Sequence, residues 1–124
     1  MMPEQTQLLK KGQRNLKAAR RLIEGGDYDI AVSRAYYAMF YVAKAAALQS
    51  GKRLTTHRGV HQVFWEHCVK PGRVSPQLHQ MLCDAFDQRL TGDYQETAAF
   101  TREDAERLAG HADAFLHAVI PLIT

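Results

Sequence analysis

Between Asp27 and Gln49 the chain carries a run so poor in polar side chains that a helix built from it has no face to give to water. From Ile30 to Leu48 only Ser33, Arg34 and Lys44 interrupt a series of aliphatic, small and aromatic residues. A helix that is apolar all round is a buried one. The run therefore predicts a central helix wrapped by others, and Ala31, Ala35 and Ala38 let those neighbours approach closely. A membrane span is the competing use of such a run. Arg34, Ser33, Lys44 and three tyrosines argue against it, since a charge in mid-bilayer costs roughly 3 kcal/mol.

A buried central helix needs partners, and the rest of the chain supplies them. Breaks at Gly25-Gly26, Ser50-Gly51, Pro71-Gly72 and Thr91-Gly92 divide the sequence into five helical segments. The first, from about Glu4 to Glu24, has an apolar stripe of Leu9, Leu16, Ala19 and Ile23, and Asp27 is a natural N-cap for the central helix. The third starts near Thr55 or Thr56, turns Val60, Val63 and Phe64 inward and stops before Pro71. The fourth opens with Ser75 as cap and Pro76 at the first helical position. The fifth opens with a capping box from Thr101 to Asp104. Along it Ala105, Leu108, Ala112, Phe115, Val119 and Leu122 form one apolar strip, and Leu116, Ile120 and Ile123 a second. The second strip exceeds what a lone bundle needs and predicts a dimer contact. The expected fold is all-α, a four- to five-helix up-and-down bundle forming a single domain over residues 1–124.

Composition narrows the function. With 46% hydrophobic and 23% charged residues the chain is that of a globular protein, not a disordered one. Cys68 and Cys83 have no CxxC spacing and read as buried free thiols. The N-terminus lacks an apolar leader, so a cytoplasmic protein is expected. Charge is uneven: residues 1–73 hold 13 Lys/Arg against 5 Asp/Glu, whereas residues 74–124 hold 3 against 8. Such polarity suits a basic surface for nucleic acid or an acidic partner, or packing of the two halves on each other. Lys10, Arg14, Lys17 and Arg21 concentrate the positive charge on one face of the first helix, which is either a solvated face or that binding surface.

The stretch from Gly26 to Tyr41 (GDYDIAVSRAYYAMFY) resembles the signature of the HEPN family, the higher eukaryote and prokaryote nucleotide-binding domain. Thr56 to Val60 (THRGV), Phe64 to Lys70 (FWEHCVK), and Ala85-Phe86 leading to Arg89 and Gly92-Asp93-Tyr94 match its prokaryotic branch in the same order. The resemblance implies a helical bundle that commonly forms a homodimer. It also implies partnership with a minimal nucleotidyltransferase, often as a toxin–antitoxin pair or stress-response module, with nucleotide or RNA as ligand. Many members are metal-independent ribonucleases that use an Arg followed closely by a His, the Arg steadying the phosphate and the His moving the proton. In this chain that motif falls on Arg89 to Tyr94, where tyrosine replaces histidine. A tyrosine, with an ordinary pKa of about 10, is a poor base at neutral pH.

The candidate site is therefore Ser33, Arg34, Tyr37, Arg89, Asp93 and Tyr94 for nucleotide or RNA, with Arg89 and Tyr94 in the catalytic positions. Arg34 must find a partner in its apolar surroundings, either a carboxylate such as Asp84, Asp87 or Asp93, or a phosphate beside Arg89. Ser33, Tyr37 and Tyr41 share a face that serves as core or as a stacking platform. His57 and His61 have the spacing of two helical metal ligands but no third, so neither metal nor cofactor is expected. Arg73 and His79 have the spacing of the Arg–His pattern but span a loop and the Ser75-Pro76 helix start, and Arg107 and His111 are one residue too close. Three functions follow: the HEPN component of a nucleotidyltransferase module, an active ribonuclease toxin, or a small-ligand-binding module with no toxin role.

Overall fold

The computed structural model describes residues 1–95 and 99–124, apart from the side chain of Tyr94. They form five helices, α1 (Pro3–Glu24), α2 (Tyr28–Leu48), α3 (His57–Phe64), α4 (Pro76–Tyr94) and α5 (Arg102–Ile123). A π-helical turn, Trp65–Val69, continues α3. No strand occurs among the described residues. The central run behaves as its composition dictates: fourteen of the twenty-one residues of α2 are buried, and α2 packs against every other helix. No helix among the described residues is long and apolar enough to cross a membrane.

Contacts fix the directions. Gln5, Gly12 and Asn15 of α1 meet Ala45, Ala38 and Arg34 of α2 in descending order, so the two helices are antiparallel. Tyr36 meets Phe86 and Asp29 lies by Gly92, which sets α4 antiparallel to α2 as well. Phe100, just before α5, lies against Gly92 at the start of α2, while Leu122 receives Gln49 at its end, so α5 runs with α2. The arrangement is an up-and-down bundle. Its core is closed by the rings of Phe64 and Phe115, 5.1 Å apart.

The helix starts follow the sequence with one exception. Thr56 accepts a hydrogen bond from the Gly59 amide at 3.0 Å, and Ser75 accepts one from the Gln77 amide at 3.2 Å. Thr101 and Asp104 bond reciprocally at 3.1 and 2.9 Å. Asp27 occupies the N-cap position of α2, but its side chain makes no capping bond. Gly26 before it adopts φ +84°, the left-handed turn that separates α1 from α2.

One other expectation is corrected. Thr91-Gly92 does not end the fourth helix, which continues to Tyr94. Gly92 is there for space: a Cβ would meet the Phe100 ring at 3.0 Å. In the second strip of α5, Leu116 and Ile123 are each only 5% exposed within this chain, whereas Ile120 is part-buried beside the groove between α1 and α5. Pro121 lies in the last turn of α5 and has no N–H to give to the carbonyl of His117.

Gly12 shows how tightly α1 is seated. An added Cβ would lie 2.8 Å from Val42 Cγ2 and 2.9 Å from the Ala38 carbonyl oxygen. Backbone cannot step aside cheaply, and overpacking of this kind costs about 1–3 kcal/mol. Gly12→Ala is expected to destabilise the protein by roughly that amount in urea unfolding, despite alanine's better helix propensity. Unchanged or higher stability would show that α1 is not held this closely.

Candidate functional site

The first turns of α2 and the last turns of α4 lie side by side and leave a cleft of about 330 Å³ between them. Ser33, Arg34 and Tyr37 line it from α2, and Arg89, Gly92 and Asp93 from α4, with Asp29 and Ile30 at its end. Helical spacing explains the grouping: residues four apart share a face. Five of the six residues singled out from the sequence thus converge, and the side chain of the sixth, Tyr94, lies outside the described residues.

The ring of Tyr37 is the centre of the cleft. The Arg34 guanidinium lies 4.7 Å from its centroid and the Arg89 guanidinium 5.2 Å, both within cation–π range. Arg34 does not pair with Asp84, Asp87 or Asp93. Its Nη1 donates to Asn15 Oδ1 of α1 at 3.1 Å, and among the described residues it makes no ion pair. Arg89 Nε lies 2.8 Å from Asp93 Oδ2, yet its buried N–H has no aligned hydrogen-bond acceptor. Among the described residues, then, no carboxylate compensates the charge of Arg34, and Arg89 is held by a poorly aligned ion pair. An oxyanion entering between them would gain two charge-assisted partners.

Beneath Tyr37 lies a polar cluster that the sequence pattern did not disclose. Tyr36 is fully buried. Its hydroxyl lies 2.7 Å from Nδ1 of His57 and 2.9 Å from Nε2 of His61. The His57 and His61 pair read for metal spacing thus serves a tyrosine. A hydroxyl has one proton, so Tyr36 donates to one imidazole and accepts from the other. The rings of Phe40 and Phe86 enclose His57 at 4.4 and 5.3 Å.

Burial pushes the Tyr36 hydroxyl well above its ordinary value, so it stays neutral. His57 is held below the usual imidazole range by burial first and then by the charges of Arg89 and Lys44. His61 is lowered to about 4, chiefly by burial and then by His57, His79 and Arg58. Both rings are mainly neutral at pH 7. Among the described residues no three His, Cys, Asp or Glu side chains gather as a metal site would require.

Other candidates lie elsewhere. Lys10, Arg14, Lys17 and Arg21 are all exposed on α1. Lys17 borders a separate open groove of about 540 Å³ between α1 and α5, where Arg20 pairs with Asp113 at 3.1 Å. The α1 residues that reach the cleft region are Asn15, through Arg34, and Lys11, 4.6 Å from the Tyr41 centroid. Tyr41 stands 5.7 Å from Tyr37 as its neighbour along α2. Of the two looser Arg–His matches, Arg73 bonds His67 while His79 packs on Trp65, and Arg107 pairs with Asp104. A signal for Asn15 did exist in the sequence, as a short polar residue inside a helix. What it bonds depends on how α1 docks.

Comparison with known proteins bears on all of this chain. The model of the HEPN domain family matches residues 6–121. A UPF0332 protein of Gloeobacter violaceus is 35% identical, over 94% of this chain and 93% of its own. A Methanocaldococcus jannaschii protein that bears the name "Putative toxin" is 33% identical, over 92% of this chain and 78% of its own. Among solved structures, one from Thermus thermophilus superposes with a TM-score of 0.82 at 20% identity, covering 97% of this chain and 98% of that one. An archaeal HEPN homologue superposes at 0.75 and 20% identity, covering 99% and 100%. At that identity the superpositions show a shared fold.

Two outcomes follow from the buried cluster. Tyr36→Phe leaves two imidazole nitrogens without their partner, and unsatisfied buried groups cost about 1–3 kcal/mol. Urea unfolding should show that loss, and none would mean the hydroxyl is dispensable. The second outcome concerns pH. Unfolded His61 takes a proton near 6.5 and the folded residue only at about 4. The stability it contributes is complete above about pH 6.5 and is lost as pH falls toward 4, by up to about 1.4 kcal/mol per pH unit. His61→Phe should flatten the dependence measured by urea unfolding over that window. An equal slope in the two proteins would contradict it.

Proposed function

The chain belongs to the HEPN domain family, and on that premise we propose that it binds the phosphate of a nucleotide or RNA in the cleft between α2 and α4. The observation that carries this reading is the convergence of Arg34 and Arg89 on the ring of Tyr37, with Arg34 free of any carboxylate among the described residues. Guanidinium groups match phosphate oxygens in a bidentate way. The half-exposed Ile30 at the edge of the cleft and the tyrosine ring offer apolar contact for a sugar or base. Asp93 would yield Arg89 to the incoming oxyanion.

The same proposal places the protein in the cytoplasm as a homodimer, working beside a minimal nucleotidyltransferase in a toxin–antitoxin or stress-response module. Support for that setting comes from the family and from the toxin names that two Methanocaldococcus jannaschii relatives bear. Co-expression with a minimal nucleotidyltransferase encoded beside it should yield a stable complex on size exclusion, with the mass of the HEPN chain alone being that of two copies. Failure of both would remove the module from the proposal.

Binding is tested with a labelled short single-stranded RNA and with ATP by fluorescence anisotropy. Charge-assisted hydrogen bonds are worth about 1.5–3 kcal/mol, so Arg34→Ala and Arg89→Ala should each weaken binding by about tenfold or more. Raised salt should weaken it further. Wild-type affinity in both variants would move the binding site out of this cleft. ATP bound as tightly as RNA would favour a small-ligand module instead.

A further inference from the structure

Larger than the cleft is the groove of about 540 Å³ that α1 and α5 leave between them. Leu16 and Leu116, both buried, form its floor, and Ile120 and the exposed Pro121 carry the apolar surface up its α5 side. On the α1 side it runs from Gln13 to Arg20, two helical turns or roughly 10 Å.

The two sides differ in charge. Between Gln5 and Ile23, α1 carries six Lys or Arg and no carboxylate. Lys10, Arg14, Lys17 and Arg21 are exposed and form no ion pair among the described residues. Lys17 belongs both to this stripe and to the groove. From Ala114 to Thr124, in contrast, α5 has no Asp, Glu, Lys or Arg. The one carboxylate at the groove, Asp113, is already met by Arg20 at 3.1 Å and by His117 at 3.5 Å. A positive edge thus runs beside an apolar strip.

We propose that this groove docks an amphipathic helix of a second protein, its carboxylates along the flank toward α1 and its apolar side chains on the stripe toward α5. Charge complementarity selects the acidic flank. Two turns of groove admit side chains at i, i+3 or i+4, and i+7. RNA suits the groove less well, since no Phe, Tyr or Trp lines it for a base to stack on. A second copy lacks the stripe. Its exposed large apolar residues, among those described, are Met1, Met2, Ile30 and Trp65, and no two of them lie on one helix. The groove shares no lining residue with the α2–α4 cleft, so docking here does not rest on phosphate binding there.

The probe is a fluorescein-labelled peptide of about eighteen residues, long enough to hold a helix, with a leucine stripe and glutamates along one flank of it. The full chain should bind it in fluorescence anisotropy, and NMR should place the shifted amides on α1 and α5 beside the groove. The same residues in shuffled order, or lysines in place of the glutamates, should bind at least about tenfold more weakly. Arg14→Glu combined with Lys17→Glu should weaken the striped peptide about three- to tenfold. Asp113→Asn releases Arg20 and should tighten it about two- to fivefold, a gain that damage to the fold does not produce. Sedimentation should give the double variant the same mass as wild type. No binding of the striped peptide, equal binding of the three peptides, shifts away from the groove, or no gain from Asp113→Asn would overturn the proposal. Displacement of the peptide by unlabelled single-stranded RNA would make the groove a nucleic-acid surface, and a changed mass would make it an interface between copies. Either result also overturns docking of a partner helix.

Discussion

Enclosure of α2 on every side is the constraint from which the other features descend. A helix with fourteen buried residues leaves almost no room for a polar group without a partner. Its polar atoms are therefore gathered at a few places. Tyr36 turns its hydroxyl to two histidines in the interior. Ser33, Arg34 and Tyr37 come out together where α4 ends and the covering is incomplete. The cleft is the part of the helix that its neighbours fail to cover.

The charge arrangement follows from the same geometry. Arg34 emerges where α1, not a carboxylate, is the nearest cover, so it takes an amide oxygen from Asn15. Arg89 reaches the same ring from α4 with its carboxylate one turn further on. One tyrosine ring thus brings together cations from two helices, with the imidazole of His57 at its edge. The neutrality of His57 is a product of this crowding, since burial and the neighbouring Arg89 and Lys44 all act against its protonation.

The sequence is most legible where a pattern is local. Apolar periodicity and caps mark the helices, because Thr56, Ser75 and Thr101 act on amides only a few residues away. The grouping of Ser33, Arg34 and Tyr37 is legible from helical spacing, and Arg89 with Asp93 likewise. Distant pairs leave no such trace. Nothing in the spacing of His57 and His61 points to Tyr36, and the reading of Thr91-Gly92 as a break mistook a glycine needed for the Phe100 ring. Nor does periodicity, which counts apolar residues along α5, reveal that Leu116 and Ile123 are covered by the same chain.

Gly12 has a reach beyond its own contact. It is one of three places, with Gln5 and Asn15, where α1 meets α2 at a defined height. Gln5 bonds a backbone carbonyl, Gly12 admits backbone and a methyl group, and Asn15 holds Arg34. The three act as a vernier: a slide of α1 by one turn would misalign all of them at once. Helix α1 is thus the gauge against which Arg34 is set, and the aim of a guanidinium in the cleft is calibrated by the absence of a methyl group nearly a full turn away along a different helix.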